Sequence, residues 1–400
     1  MKAADAADGQ EWQQHGFSVE YVLPLIFTRD AFDPANPNLR RLLALREPQK
    51  RHRMAVFADA GLLQAQPALP ACIAAYAAAH ADGIELAGEV VGVPGGEVCK
   101  NDPRLLESLL AALAARRIDR HSYAVAIGGG AVLDAVGYAA AIFHRGVRHI
   151  RFPSTVLAQG DSGVGVKNAL NWHGQKNLVG TFSPPWGVIN DAAFIDLLPL
   201  REKRAGLAEA VKVALIRDRQ FFCDIEDDAP ALAAGHAAPL ASLIRRSAEL
   251  HMRQISRGGD PFERGSARPL DFGHWAAHKL ERLSGHALSH GEAVAVGIAL
   301  DARYSVLAGL LAPGAELRIH HLLAQLGFRL WHPLLLARTA QGGLAVLAGL
   351  DEFREHLGGE LSVTLLAAIG EGVEAHAMDP RLVLSAAAWL QEREGELACA

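Results

Sequence analysis

Short apolar runs alternate with helical patterns along the first half of the chain. Apolar residues recur at helical spacing over 105–117 and 131–143, and four shorter segments are mostly apolar. These strand candidates are Met54–Ala58, Glu89–Val93, Tyr123–Ile127 and His149–Phe152. Strands that alternate with helices predict a parallel sheet covered by helices on both faces.

The pattern changes near residue 200, after which helical segments dominate. They are Glu202–Ile216, Pro239–Ser256, Phe272–Ser284, Gly291–Ala308 and Ala315–Leu326, with Leu361–Ala367 as a late strand candidate. We therefore expect an α/β domain over residues 1–200 and a mostly helical domain over residues 201–400. A cleft between two such domains is a usual place for a ligand site.

Composition and charge exclude several classes of protein. Half of the 400 residues are apolar, the formal net charge is −5, and no Lys/Arg run suggests a nucleic-acid partner. The four cysteines form no C-x-x-C pair, so neither disulfides nor a thiolate zinc site is predicted. Neither a signal-peptide pattern nor the roughly 18 successive apolar residues of a membrane span occurs. We expect a cytoplasmic protein without a membrane partner.

Two segments that follow strand candidates carry possible nucleotide contacts. Gly128–Gly130 opens a helix, where free backbone amides can bind a pyrophosphate, although a tight turn explains the glycines equally well. Glu97 and Lys100 could contact a ribose and a phosphate, or could belong to a solvated turn.

Polar residues are also concentrated in a glycine-rich stretch farther along the chain. Asp161, Lys167, Lys176 and Asn177 have few other charges near them in the sequence. The spacing is not that of a P-loop. The stretch suits an anionic, hydroxylated ligand, and a solvated loop is the alternative.

The second half contains a candidate metal site. His274 and His278 are four residues apart and share a helix face, and His290 follows in the next turn. Neutral imidazole is a common zinc ligand, and the motif is not that of a zincin protease. Glu209 and Lys212 share another helix face, either as a salt bridge or as a metal ligand beside an ammonium group.

Taken together, these motifs resemble the 3-dehydroquinate synthase superfamily, the sugar phosphate cyclases. The resemblance spans roughly residues 54–370 and preserves the order of the family's motifs. The matching segments are Pro94–Asn101, Gly128–Asp134, Phe143–Gly146, Pro153–Thr155, Asp161–Lys167, Lys176–Asn177, Gly206–Lys212, Phe272–His278 and His290–Val294.

The resemblance implies a Rossmann-like NAD-binding α/β domain, a mostly α-helical metal-binding domain and an active site between them. It implies that Glu209, His274 and His290 bind a divalent metal, zinc or cobalt. The positions that match NAD contacts are Asp59, Glu97, Lys100, Gly129, Gly130, Asp134, Ser154, Thr155, Leu157 and Phe194.

The same resemblance assigns the substrate and proton-transfer positions. Arg145 matches an arginine that reaches the phosphate from a neighbouring subunit, which implies a homodimer. The residues that match contacts to the phosphosugar or groups that support proton transfer are Lys167, Lys176, Asn177, Lys212 and His278. Asp161, a further catalytic candidate, matches a carboxylate near both the cofactor and the substrate.

The chemistry that the resemblance implies is an internal redox cycle. NAD accepts a hydride from a metal-bound substrate alcohol, the new ketone acidifies the adjacent C–H, and phosphate is eliminated. NADH then returns the hydride, the ring opens, and an intramolecular aldol step closes the carbocycle.

The chain departs from the dehydroquinate pattern around the substrate carboxylate. Asp271 stands where those enzymes have Asn, and the nearby cation is displaced to Arg268. A substrate-binding Lys aligns with Arg253, and His356 stands in place of a late Lys. These changes suit a neutral polyol better than an acid, as in the branch that cyclises sedoheptulose 7-phosphate.

Other functions remain open at this point. They are 3-dehydroquinate synthase, 2-deoxy-scyllo-inosose synthase, a metal-dependent polyol dehydrogenase of the same architecture, and a catalytically inactive binding protein. The complete Glu/His/His and Lys set argues against the last of these, because an inactive copy needs no buried metal site.

Overall fold

The first half of the chain is built on a parallel sheet. The computed structural model describes residues 13–173, 175–263, 270–356 and 360–399, except for the side chains of His356 and residues 396–399. Within these residues, the sheet has seven strands, namely β1 (Leu25–Thr28), β2 (His52–Asp59), β3 (Ile84–Leu86), β4 (Val91–Val93), β5 (Tyr123–Gly128), β6 (Arg148–Pro153) and β9 (Gly187–Asp191). They pair in the order β1-β9-β6-β5-β2-β3, with β4 also beside β2.

The central strands are buried on both faces, which explains their continuous apolar sequence. Every residue of β5 is buried, and β2 is buried at six of its eight positions. The connecting helices are α1 (Asn38–Leu43), α2 (Ala60–Ala65), α3 (Leu69–Ala79), α4 (Pro103–Ala115), α5 (Gly130–Ile142) and α6 (Ala192–Asp196). Because the strands are parallel, β2, β5, β6 and β9 bring their carboxyl ends to one edge, the usual ligand edge of such sheets.

An antiparallel hairpin lies over α5. Its strands are β7 (Lys167–Trp172) and β8 (Gln175–Phe182). The sequence does not predict this hairpin, because the glycine-rich stretch before it reads as a loop and β8 has no buried residue. Asp161 lies in a π-helical turn, Ala158–Ser162, that connects β6 to the hairpin.

The second half is mostly helical, as expected, and packs around α8 and α13. Its helices are α7 (Leu200–Ala205), α8 (Leu207–Arg217), α9 (Arg219–Asp227), α10 (Ala229–Ala233), α11 (Ala237–Arg257), α12 (His274–Leu283), α13 (His290–Leu307), α14 (Ala315–Gln325), α15 (Ala348–His356) and α16 (Pro380–Cys399). A small antiparallel pair, β10 (Val363–Ala368) and β11 (Glu371–Ala375), packs against α8 and α13.

One predicted helix is interrupted. The segment Glu202–Ile216 forms α7 and α8, which are separated at Gly206. A Cβ at Gly206 would lie 2.4 Å from the backbone nitrogen of Leu157, so glycine is required where the junction of α7 and α8 packs against the start of the π-helical turn. None of the described helices is both long enough and apolar enough to cross a membrane.

Candidate active site

The carboxyl ends of β2 and β5 form a shallow cradle lined by backbone. Asp59 caps α2 by accepting hydrogen bonds from the backbone N–H groups of Gly61 and Leu62. Gly129 precedes α5 and offers no side-chain cap, so the first amides of α5 are left for a ligand. A Cβ at Gly95 would lie 2.4 Å from Asp59 Oδ2, and one at Gly130 would lie 2.6 Å from Ser162 Oγ. The uncapped amides at the start of α5, beside the Asp59 and Ser162 side chains, fit the pyrophosphate of a dinucleotide.

Lys100 organises the polar groups beside this cradle. Its Nζ lies 2.8 Å from Asp134 Oδ2 and also contacts Asn177 Oδ1. Burial opposes its charge, but Asp134 and Glu97 outweigh that effect and raise the pKa of Lys100. The ammonium group is therefore held as a fixed cation at the side of the cradle.

The remaining predicted NAD contacts occupy different environments. Ser154 donates its backbone N–H to Gly128 O, and Thr155 Oγ1 accepts the N–H of Ala158. Leu157 is half-buried in the same turn. Phe194 is buried in the hydrophobic cluster of the sheet, so its side chain is part of the core.

Three predicted metal ligands converge at the junction of α8, α12 and α13. Glu209 lies on α8, whereas His274 and His290 are the first residues of α12 and α13. Glu209 Oε1 lies 3.3 Å from His274 Nε2 and 3.0 Å from His290 Nε2. Their potential ligand atoms all lie within 4.8 Å of one another. Two imidazole nitrogens and one carboxylate oxygen are a donor set that suits zinc.

The other nitrogen of each imidazole is already engaged. His274 Nδ1 lies 3.1 Å from Phe272 O, and His290 Nδ1 lies 2.8 Å from Glu281 Oε1. Because both partners are oxygen acceptors, a ring proton on Nδ1 fits each contact, and Nε2 would be the metal-binding atom when a metal is bound. The geometry therefore fits a divalent cation without any change of ring orientation.

Charged groups extend from this cluster toward the NAD cradle. Lys212 Nζ lies 2.5 Å from Glu209 Oε2, and both side chains are almost completely buried. Burial disfavours the charge on Glu209, but Lys212 and His274 outweigh it and hold its pKa well below the usual range. Asp161 lies close enough to contribute to the raised pKa of Lys212.

His278 and Lys176 lie on the other side of the cluster. Burial holds the pKa of His278 well below its ordinary value, so its imidazole is neutral. Lys176 Nζ lies 2.6 Å from Glu281 Oε2, which joins the hairpin to α12. A neutral imidazole and an ammonium group beside a metal site can take up a proton and bind an anion, respectively.

Some predicted residues lie at the edge of the site or outside the described chain. Lys167 is 55% exposed and its Nζ lies 2.6 Å from Glu263 Oε1. Arg145 is exposed in the turn after α5. Asp271 precedes α12 and contributes to the electrostatic environment of Lys212. Arg268 lies outside the described residues, as does the side chain of His356, whose backbone ends α15.

The structure reveals functional candidates that the sequence does not indicate. His251, on α11, places Nδ1 2.7 Å from Asp161 Oδ1, whereas Arg253 is exposed and does not occupy that place. The alignment of Arg253 with a substrate-binding Lys stays a prediction. Glu281 lies seven residues after His274, and this helical spacing could have suggested that Glu281 lies near the metal-ligand cluster. His251 and Asp161 are 90 residues apart in the sequence, so no local pattern indicates their contact.

Comparison with known proteins identifies the family of the chain. Residues 90–205 match the family model for the 3-dehydroquinate synthase N-terminal region, and residues 206–344 match that for the C-terminal region. A 3-dehydroquinate synthase of Rhodopseudomonas palustris is 36% identical over 323 residues, which cover 78% of this chain and 82% of that protein.

Solved structures share the whole architecture. A 2-epi-5-epi-valiolone synthase from Streptomyces hygroscopicus is 26% identical, with a TM-score of 0.82, and the match covers 96% of this chain and all of that one. A 2-deoxy-scyllo-inosose synthase shares the fold at 22% identity and a TM-score of 0.72, over 91% of this chain and 96% of that one. The chain therefore belongs to the 3-dehydroquinate synthase family and is a sugar phosphate cyclase with the fold of that family.

Proposed function

We propose that this enzyme is an NAD- and metal-dependent cyclase that converts sedoheptulose 7-phosphate into a carbocyclic cyclitol and releases phosphate. The reaction class is a carbon–oxygen lyase. The observation that carries the proposal is the convergence of Glu209, His274 and His290 beside the Lys212 ammonium group. The 2-epi-5-epi-valiolone synthase that it resembles was solved with NAD+ and Zn2+ bound.

The two cofactors fit different ends of the cleft. The Glu/His/His set would hold zinc or cobalt, and the cradle between Asp59 and Gly130 would hold NAD, with Lys100 and Asp134 beside it. When bound, the metal supplies Lewis acidity toward a substrate alcohol, and NAD supplies a reversible acceptor for hydride. This arrangement supports two domains, residues 1–200 and 201–400, with the substrate between them.

The protein's own residues would bind the substrate and move its protons. Lys212 stays charged next to Glu209 and would stabilise negative charge as a substrate alcohol loses its proton. His278 is neutral and would accept or return a proton near the phosphate. Lys167, Lys176 and Asn177 would bind the anionic end, and Arg145 is exposed and would reach a partner subunit in a homodimer.

Asp271 supports a substrate whose other end carries only hydroxyl groups. Where water is excluded, an additional carboxylate beside Asp271 would be repelled by several kcal/mol. A hydroxyl group can instead donate a hydrogen bond to Asp271. The identity to enzymes named 3-dehydroquinate synthase supports that activity as the second candidate.

A direct comparison of two substrates tests this choice. Phosphate release should be measured with sedoheptulose 7-phosphate and with the acidic heptulosonate phosphate used by dehydroquinate synthases, each with NAD and zinc. We expect release from the first and none from the second, and Asp271→Asn should lower kcat/KM for the first. Preference for the acidic substrate would favour the dehydroquinate synthase alternative and leave the family assignment unchanged.

A further inference from the structure

A row of basic residues follows α12 away from the metal ligands. His274, His278 and Arg282 are spaced four residues apart and therefore lie on one face of the helix. His286 comes shortly after the helix ends, and its backbone N–H bonds to Glu281 O in the last turn. The row leads from the metal-ligand cluster toward a cleft on the far side of Lys176.

The cleft has a volume of about 240 Å³ and is polar and basic. Since a water molecule occupies about 30 Å³ of liquid, this volume has room for a phosphate group and several waters. Neither an aspartate nor a glutamate is present among its lining residues. These are Asn101, Asn171, His173, Lys176, Arg282 and His286.

Two carboxylates that do not line the cleft form ion pairs with its two permanent cations, Lys176 and Arg282. Glu281 contacts Lys176 at 2.6 Å and His290 at 2.8 Å. Glu352 is shared between Lys279, at 2.8 Å, and Arg282, at 2.9 Å. Glu352 is thus shared between two permanent cations, Lys279 and Arg282, which leaves a positive charge beside the cleft.

Both histidines of the cleft have a backbone conformation that is costly for residues other than glycine. His173 has φ of 48° and His286 has φ of 65°. Such conformations persist where the surrounding structure imposes them, and they are concentrated at ligand sites. Here they place one imidazole on the hairpin wall and one on the α12 wall of the same cleft.

We infer that this cleft is a binding subsite for a phosphate monoester dianion, formed chiefly by Lys176, Arg282, His173 and His286. It would receive the phosphate end of the substrate as it approaches the metal and hold the released phosphate before it leaves. Arginine and lysine are the side chains that bind phosphate most strongly, and imidazoles and amides complete its hydrogen bonds. This inference rests on the proposed function, since it assumes a phosphosugar substrate.

Binding of inorganic phosphate to the full-length holoenzyme tests the subsite without turnover. Calorimetric titration should be done on the wild type, Arg282→Gln, His286→Gln and the control Arg53→Gln. Arg53 is a matched control because it forms an ion pair of similar exposure with Glu85. The side chains of Arg53 and Glu85 are 37% and 36% exposed, and those of Arg282 and Glu352 are 38% and 37% exposed. The control should bind phosphate as the wild type does.

The expected result is about tenfold weaker phosphate binding in Arg282→Gln, as for a lost hydrogen bond to a charged group. KM for the phosphosugar should rise by a similar factor while kcat changes less than twofold, since uniform binding is lost. Unchanged phosphate affinity in both Arg282→Gln and His286→Gln would overturn the subsite even if the enzyme turns over. Weakened phosphate binding without phosphate release from any phosphosugar would instead overturn the proposed function.

Discussion

Single hydrogen bonds at the metal-ligand cluster decide which nitrogen of each histidine faces the cation. Phe272 O and Glu281 Oε1 engage the Nδ1 atoms of His274 and His290. Glu281 also contacts Lys176, so one carboxylate orients a ligand and positions an anion-binding group. Residue type and spacing indicate His274, His278 and His290, and it is the family resemblance that replaces His278 with Glu209 in the predicted ligand set. Spacing hints at Glu281 but not at His251, and the roles of both depend on contacts made only in the folded chain.

Removal of one ligand should release the metal. His274→Ala leaves one imidazole and one carboxylate, which is too few for a stable zinc site. We expect the purified variant to contain little metal by elemental analysis and to lose activity while its circular dichroism stays near that of the wild type. His121→Ala, which removes a mostly exposed imidazole, should retain the metal. Full metal content in His274→Ala would contradict the ligand assignment.

Removal of the Glu281 charge that contacts the ligand His290 should weaken metal binding without abolishing it. In Glu281→Gln, the negative charge that orients His290 is gone, and such changes typically cost 10–100-fold in metal affinity. Competition with a chelator measures this affinity. The control is Glu316→Gln, which alters another buried carboxylate, paired with Arg303, away from the metal. Equal metal affinity in the two variants would rule out the role of Glu281.

At the scale of elements, close backbone packing between α13 and the turn before α12 fixes the position of His274. Gly273 has φ of 77°, and a Cβ there would lie 2.7 Å from Ile298 N. Asp301 on α13 accepts hydrogen bonds from Gly273 N and Trp275 Nε1, on either side of His274. A His-x-x-x-His spacing predicts the helix, but this packing is visible only in the structure.

The buried Asp301 should make stability depend on pH. Burial raises the pKa of Asp301 to about 7, against roughly 3.9 for an unfolded aspartate. The folded state therefore binds this proton more tightly, and the stability that Asp301 contributes is complete below about pH 4 and is lost as the pH rises through about 7.

The variant Asp301→Asn has no titratable group at this position and therefore isolates the pH dependence that the Asp301 carboxyl group contributes. The free energy of unfolding of metal-free wild type, minus that of the variant, should fall by a few kcal/mol from pH 4 to 7 and stay level above it. Urea unfolding of both proteins measures the difference. A difference that is constant or rises over this range would show that the carboxyl group is ionised throughout.

The elements also show where sequence patterns reach their limit. Continuous apolar runs predict β2 and β5 because these strands are buried on both faces, whereas the equally buried β6 carries His149 and Arg151. The polar strand β8 is stabilised by pairing with β7, which no local pattern indicates. Likewise, the close packing of Gly206, between α7 and α8, against Leu157 is a contact between distant parts of the chain that no local pattern indicates.

In the whole molecule, the site is assembled by contacts between the two halves of the chain. Asp161 meets His251 and Lys176 meets Glu281, at 2.7 and 2.6 Å. The α/β half contributes the cradle suited to NAD, and the helical half contributes the metal ligands. The sequence predicts both halves and most of their site residues, but the distances between the halves depend on tertiary packing.

The central claim, that hydride transfer is internal to the reaction, is tested most directly by counting phosphate against reduced NAD. The enzyme should be incubated with zinc, sedoheptulose 7-phosphate and NAD kept far below the substrate concentration, while phosphate and absorbance at 340 nm are followed together. The account predicts many phosphates released per NAD and no accumulation of NADH. NADH formed in step with substrate consumption, without phosphate release, would contradict it and indicate a polyol dehydrogenase.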